Sequence, residues 1–274
     1  MSDMTPNECA QLVNELGTIK AAAEEAGMAY STFRHRLSKA DNPTGKNRVL
    51  IIGDTHCPVM LDGYVEFLQE TYERYDCDRV VHIGDVVDWA AISYHRTPLT
   101  PQTPEEEYHA AKEQLRHLVD AFPVAQVTLG NHGALPWRRA EEVGIFPELL
   151  KDPAAMWDTP GWEWRPRYDD LEIDGVIYRH GDKAKGGQQA AFKNAMAEFR
   201  SVVQGHHHSQ LGAWYHANSN IRVFGLQTGC GVDAHSAAMA YGIVYSAKPI
   251  VGCGVVLEGA EAHAVPMDLG SRYF

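Results

Sequence analysis

A chain of 274 residues that is 45% hydrophobic and 22% charged has the composition of a globular protein, with room for one large core and a small appendage. No apolar run approaches the ~18 residues a membrane span needs, and Met1 to Gln11 is polar, without the apolar stretch of a secretory signal; no membrane partner is expected, and the expected location is the cytoplasm. A formal charge of -12 argues against wrapping a polyanion with the whole surface and suits a protein that holds divalent cations.

The chain opens on a small helical pattern. Ile19, Ala22, Ala23 and Ala26 recur at helical spacing, Gly27 breaks the helix, and Ser31 caps a second run that turns Phe33 and Leu37 inward. The spacing predicts a helix-turn-helix module within residues 1–40. Arg34, His35, Arg36 and Lys39 lie on its second helix without an acid among them, a set suited to the phosphates and major groove of DNA. A helical hairpin used only for packing or dimerisation is the alternative. The string AAEEAGMAYSTFRHRL resembles the helix-turn-helix of Fis-type regulators and of many phage proteins, which would place the protein in a host cytoplasm. Residues 41–47, with Asp41-Asn-Pro-Thr-Gly-Lys46, read as a linker, and residues 48–274 as the main domain.

From Arg48 strands alternate with helices. Val49 to Ile52 reads as a buried strand, Asp62 to Tyr75 as a helix with Tyr64, Phe67, Leu68 and Tyr72 on one face, and Arg79 to Ile83 as a second strand. Thr103-Pro-Glu-Glu106 carries the capping signature of a further helix that buries Ala111, Leu115, Leu118, Val119 and Phe122. Residues 133–167, rich in Trp, Pro and charge, show no strand period and read as a helical lid. Gln188 to Arg200 reads as an amphipathic helix, and Ile221 to Leu226 with Gly252 to Pro266 as strands of an antiparallel second half. Cys9, Cys57, Cys77, Cys230 and Cys253 form an odd, scattered set that reads as reduced thiols.

Five short polar stretches close apolar, strand-like runs: Asp54-Thr-His56, Gly84-Asp-Val-Val-Asp88, Gly130-Asn-His132, His180 and Gly205-His-His-His208. Carboxylates, an amide and imidazoles at strand ends match the ligand mix of two divalent metals, with one carboxylate able to bridge. Each piece alone recurs by chance; their order is the informative feature. The series D-T-H, G-D-V-V-D, G-N-H, H and G-H-H-H resembles the signature of the calcineurin-like metallophosphoesterases and runs from Val49 to His208. The resemblance implies an α/β four-layer sandwich, two mixed β-sheets face to face flanked by helices, beside the small all-α module. It implies that Asp54, His56, Asp85 and His208 hold one metal and Asp85, Asn131, His180 and His206 the other. It implies also that His132, oriented by Asp88, donates a proton to the leaving oxygen after in-line attack by a metal-bridging hydroxide. His207 should point away from its two neighbours if the stretch is extended. Manganese is the expected metal, with iron, zinc and nickel as alternatives.

Two departures from the family pattern bear, in turn, on substrate and on the catalytic rate, the second by leaving the orientation of His132 to Asp88 alone. Trp89-Ala90 stands where protein serine/threonine phosphatases of this superfamily carry Arg-Gly, removing a bidentate phosphate clamp, and Gly133 stands where an acid is usual. Arg96, Arg138 or Lys183 would have to supply positive charge. The preferred expectation is a phosphodiesterase or nuclease acting on DNA. A phosphomonoesterase or small-molecule phosphodiesterase is the second, and a DNA-binding regulator with an inactive metal domain the third.

Overall fold

The computed structural model describes residues 4–16, 18–37, 47–94, 102–184, 186–236 and 248–270. The amino-terminal part is a bundle of three helices, α1 (Pro6–Leu16), α2 (Ile19–Glu25) and α3 (Tyr30–Leu37). Thr18 caps α2 by accepting the Ala21 N–H. Phe33 and Leu37 are buried with Cys9, Ile19, Ala22 and Ala23 in a small core, as the helical spacing predicts, but α1 was not anticipated. Its contribution to that core through Cys9, Leu12 and Val13 is too sparse to read as a period.

The bundle corrects the expected DNA-contacting set. Arg34 is buried, not exposed: its guanidinium donates to the Ala121 carbonyl and lies 4.4 Å from the Tyr72 ring and 5.0 Å from the Phe122 ring. A weakly hydrated, planar cation stacks well on such rings, so Arg34 docks the bundle onto the main domain. Arg36 donates to the Met4 carbonyl at 2.8 Å. Lys39, the side chain of His35 and residues 41–46 of the expected linker lie outside the described residues.

The main domain holds two mixed sheets. The first contains β1 (Arg48–Ile52), β2 (Arg79–His82), β3 (Ala125–Thr128), β4 (Trp162–Arg165), β10 (Gly252–Leu257) and β11 (Glu261–Pro266) in the order β11-β10-β1-β2-β3-β4. The second contains β5 (Leu171–Ile173), β6 (Val176–Arg179), β7 (Val202–Gln204), β8 (Leu211–Ala217) and β9 (Arg222–Thr228) in the order β5-β6-β7-β9-β8. Strand alternation builds the layers. Val49 and Ile51 of β1 face the space between the sheets, with Tyr178, Val203, Phe224 and Leu226. Leu50 and Ile52 face the other way, into a core shared with Tyr64, Leu68, Leu115 and Leu118 of α4 (Tyr64–Arg74) and α5 (Pro104–Ala121). On the far side, Ala195 of α8 (Ala190–Glu198) packs on Ile177 and Val202. The result is the expected sandwich of helix, sheet, sheet and helix.

Three local expectations need correction. Residues 133–167 contain α6 (Leu135–Glu142), a 3-10 turn (Pro147–Leu149) and α7 (Pro153–Trp157), but Trp162–Arg165 is a strand pairing in parallel with β3. The alternation Trp162-Glu-Trp-Arg165 carries that period, and Trp162 is anchored by its indole N–H to the Phe122 carbonyl at 2.8 Å. The last strands do not form one antiparallel half: β9 pairs in parallel with β7, whereas β10 and β11 join the first sheet through β1. Strands β5 and β8 were not anticipated; β5 is only three residues long, and β8 is a half-exposed edge.

Candidate metal centre

Strands β1, β2, β3, β6 and β7 are mutually parallel within their sheets, so their carboxyl ends emerge on one edge of the sandwich. Each delivers one of the five polar stretches there. The chain turns sharply to do so: His56, Asp85 and His206 take left-handed backbone angles, with φ of 47°, 43° and 67°. Such a conformation is uncommon for a residue with a Cβ and collects at functional sites. The crossing loops are tied by main-chain bonds from His56 to the Asp85 carbonyl and from Cys57 to the Val86 carbonyl, both 2.9 Å.

All nine side chains singled out in the sequence come together. Asp54, His56 and His208 bring ligand atoms within 4.8 Å of one another, as do Asp85, His180 and His206. His208 Nε2 is 3.2 Å from Asp54 Oδ2. His180 Nε2 is 3.1 Å from Asp85 Oδ2 and 3.0 Å from Asn131 Oδ1. Asp85 Oδ2 also lies 3.7 Å from His56 Nε2, which sets this carboxylate between the two groups. His132 Nδ1 sits 2.7 Å from the Asp88 carbonyl oxygen and 3.1 Å from Asp88 Oδ1. His207 belongs to neither group; its ring lies beside that of His206, 5.0 Å between centroids.

The donors fit divalent cations on two observations. Among the described residues Asp54 Oδ1 and His56 Nε2 are buried without a hydrogen-bond partner, a costly arrangement that a cation would relieve. The carboxylates are also pressed against bare backbone: a Cβ at Gly205 would collide with Asp54 Oδ1 and one at Gly130 with Asp85 Oδ1. Only glycine lets those strand ends approach so closely.

Charge is concentrated accordingly. Burial works to lower the pKa of both His180 and His132. Burial is the largest single influence on each, but the charge of Asp85 together with Asp54 at His180, and with the Asp88 hydrogen bond at His132, outweighs it and holds both up to about 9. Burial pushes Asp88 up, but its bonds to His132 and His56 hold the carboxyl below the usual range. His206 is lowered to about 4 by burial and by the neighbouring His180.

Three supporting contacts were not visible in the spacing. Asp88 holds His56 as well as His132, with Oδ1 2.7 Å from His56 Nδ1. Thr55 links the first two loops, donating to the Val86 carbonyl at 2.9 Å and lying 3.0 Å from His82 Nε2. Glu107 of α5 accepts the backbone N–H groups of Ala90 and Ala91 at 2.6 and 2.8 Å, fixing the chain just beyond Asp88. In sequence Glu107 looks like one more acid of a helix amino terminus.

The family model described as Calcineurin-like phosphoesterase matches residues 47–235, the span that carries every one of these strand ends. The chain belongs to the calcineurin-like phosphoesterase family. It is a metal-dependent phosphoester hydrolase. Among curated proteins no match is found. Among solved structures this phosphoesterase is similar to vacuolar protein sorting 29 from Cryptosporidium parvum, at 16% identity and a TM-score of 0.39, covering 81% of this chain and 97% of that one. It is similar also to the nuclease MPE of Pseudomonas putida, at 12% identity and a TM-score of 0.35 over 80% and 87% of the two chains. A third is the phosphoesterase YfcE of E. coli, at 12% identity and a TM-score of 0.35 over 80% and 99%. Among the described residues no helix is long and apolar enough to cross a membrane.

Proposed function

We propose that this phosphoesterase is a dinuclear phosphodiesterase acting on DNA. Asp54, His56, Asp85 and His208 would hold one cation and Asp85, Asn131, His180 and His206 the other, with manganese the first metal to test. Bound there, the cations would neutralise phosphate oxygens and acidify a water for in-line attack. The chain's own contribution is proton transfer and orientation. His132 is held through Nδ1 by Asp88, which leaves Nε2 to protonate the departing oxygen.

The observation that carries the diester reading is Trp89. The indole at this position is buried against Tyr108 and Trp157, so no guanidinium reaches the phosphate from here. Of the other cations considered, Arg138 lies over the Tyr94 ring and Lys183 bonds to the Tyr168 carbonyl, while Arg96 lies outside the described residues. A phosphodiester carries one negative charge where a monoester carries nearly two, so a site with no arginine clamp among the described residues suits the diester. DNA as the substrate is supported by the helical module on the same chain, although α3 offers less charge than its sequence suggests. The opposing reading, a phosphomonoesterase or small-molecule diesterase, is favoured by the net charge of -12, which repels a polyanion. Metal-loaded protein should hydrolyse bis-p-nitrophenyl phosphate with higher kcat/KM than the mono-ester and should cleave a DNA oligonucleotide. Preference for the mono-ester would overturn the proposal.

A further inference from the structure

Beyond the carboxyl end of β4, Pro166 to Asp169 make a turn closed by the Asp169 N–H on the Pro166 carbonyl at 3.0 Å. Its third residue is Tyr168, with φ of 72°. A turn that needs positive φ at that place ordinarily takes glycine, and a bulky residue there is strained. The ring nevertheless gains little burial, for Tyr168 is 51% exposed. Two cations flank it: the Arg167 guanidinium lies 4.5 Å and the Lys183 ammonium 5.7 Å from the ring centroid. Both are fixed, Arg167 by Asp182 at 2.6 and 2.8 Å and Lys183 by the Tyr168 carbonyl at 2.5 Å.

The position is close to the metal centre. Strand β4 runs parallel to β3 with Arg165 opposite Thr128, so the turn lies on the same edge as Asn131 and His132. Tyr168 lines one small cleft together with Leu129, His180, Gly181 and Asp182. A strained, exposed aromatic held by two cations beside a phosphoester site has the composition of a base-stacking platform.

We infer that Tyr168 is a substrate-binding residue on which a nucleobase stacks when the adjoining phosphodiester enters the metal centre. This rests on the diesterase reading and adds to it a substrate class, nucleoside-bearing diesters. The two cations pre-set the ring's orientation, and the electron-poor face of a base meets its exposed part.

Two esters with the same leaving group test this: thymidine 5′-(p-nitrophenyl) phosphate and methyl p-nitrophenyl phosphate. Stacking of one base is worth about five- to a hundredfold in binding. Tyr168→Gly should raise KM for the thymidine ester by a factor in that range, leave kcat unchanged and leave the methyl ester unaffected. Tyr168→Phe should behave as the unaltered protein. Because glycine relieves the strained turn, Tyr168→Gly should keep or raise Tm, an effect opposite to that of a lost structural contact. Equal effects on both esters, or none on either, would overturn the platform. Should the unaltered protein hydrolyse neither ester, the diesterase reading fails, and equilibrium binding still decides the platform. A phosphorothioate tetrathymidylate should then bind more tightly than an abasic tetramer, and lose that advantage in Tyr168→Gly; equal affinities would overturn it.

Discussion

The proposed role of His132 as general acid predicts a dependence on the leaving group. A general acid helps a poor leaving group far more than p-nitrophenolate, whose conjugate acid is already strong, and such catalysis is worth about a hundredfold to ten-thousandfold. His132→Ala should therefore slow an oligonucleotide or alkyl diester by an amount in that range, slow the nitrophenyl ester much less, and leave metal content intact. Equal losses on both substrates would mean that His132 is a ligand or a structural residue. Asp85, set between both ligand groups, makes a complementary prediction: Asp85→Asn should lose both metals together by elemental analysis, whereas His208→Ala should mainly empty one site. Asp78 governs stability instead. Burial raises its pKa to about 6, against the Arg48 N–H it accepts at 2.9 Å. An acid that binds its proton more tightly in the folded state contributes stability below the unfolded pKa of about 3.9 and loses it as pH rises toward 6. Asp78→Asn keeps an acceptor for Arg48 and should raise Tm by a few degrees at pH 7.5. At pH 4, in metal-free protein, the gain should shrink; an equal gain at both values would contradict the raised pKa.

Elements place these side chains, and here legibility in the sequence was uneven. Strands β1, β2, β3, β6 and β7 each end in a polar stretch after an apolar run, and that pattern singled out the nine side chains that come together there. The helix capped by Thr103 was equally plain, because Thr103 and Glu106 form a reciprocal pair. Short or edge strands were not legible: β5 holds too few residues to show a period, and the Trp-rich character of β4 masks its alternation. Glu107 was hidden for a different reason. A carboxylate that accepts two main-chain N–H groups from a distant loop leaves no local pattern, and its neighbours Glu105 and Glu106 supply an ordinary explanation for acids at a helix start. Its replacement should be felt at the site. In Glu107→Gln one of the Ala90 and Ala91 N–H groups loses its acceptor, and because both are half-buried the cost lies at the low end of the roughly 1–3 kcal/mol for a buried donor. The loop carrying Asp88 should loosen, lowering kcat on an alkyl diester more than on the nitrophenyl ester while metal content holds. A fall in Tm without that difference between substrates would make Glu107 merely structural.

Across the whole molecule, the amino-terminal bundle and the metal centre occupy opposite ends of the first sheet. Arg34 seats on Ala121, Tyr72 and Phe122, beside a cavity of about 310 Å³ that is lined by Arg79, Ala125 and Gly161 at the amino ends of β2, β3 and β4. The ligands Asp85 and Asn131 follow the carboxyl ends of β2 and β3. Four residues at roughly 3.3 Å each separate the two ends by about 13 Å before loops are counted. The site is therefore complete without the bundle, and Arg34 is a docking residue. A guanidinium stacked on buried rings contributes about 2 kcal/mol, and its bond to the Ala121 carbonyl adds to this. Arg34→Ala should lower Tm by several degrees and speed proteolytic release of the bundle, yet leave kcat/KM for bis-p-nitrophenyl phosphate within about twofold. Oligonucleotide binding separates docking from DNA contact. A phosphate-contacting arginine, once removed, weakens binding to all sequences and reduces the slope of log affinity against log salt by about one. With Arg34 docked, both should stay unchanged in Arg34→Ala; a slope reduced by one would return Arg34 to the DNA-facing surface and require the bundle to leave its seat when it binds.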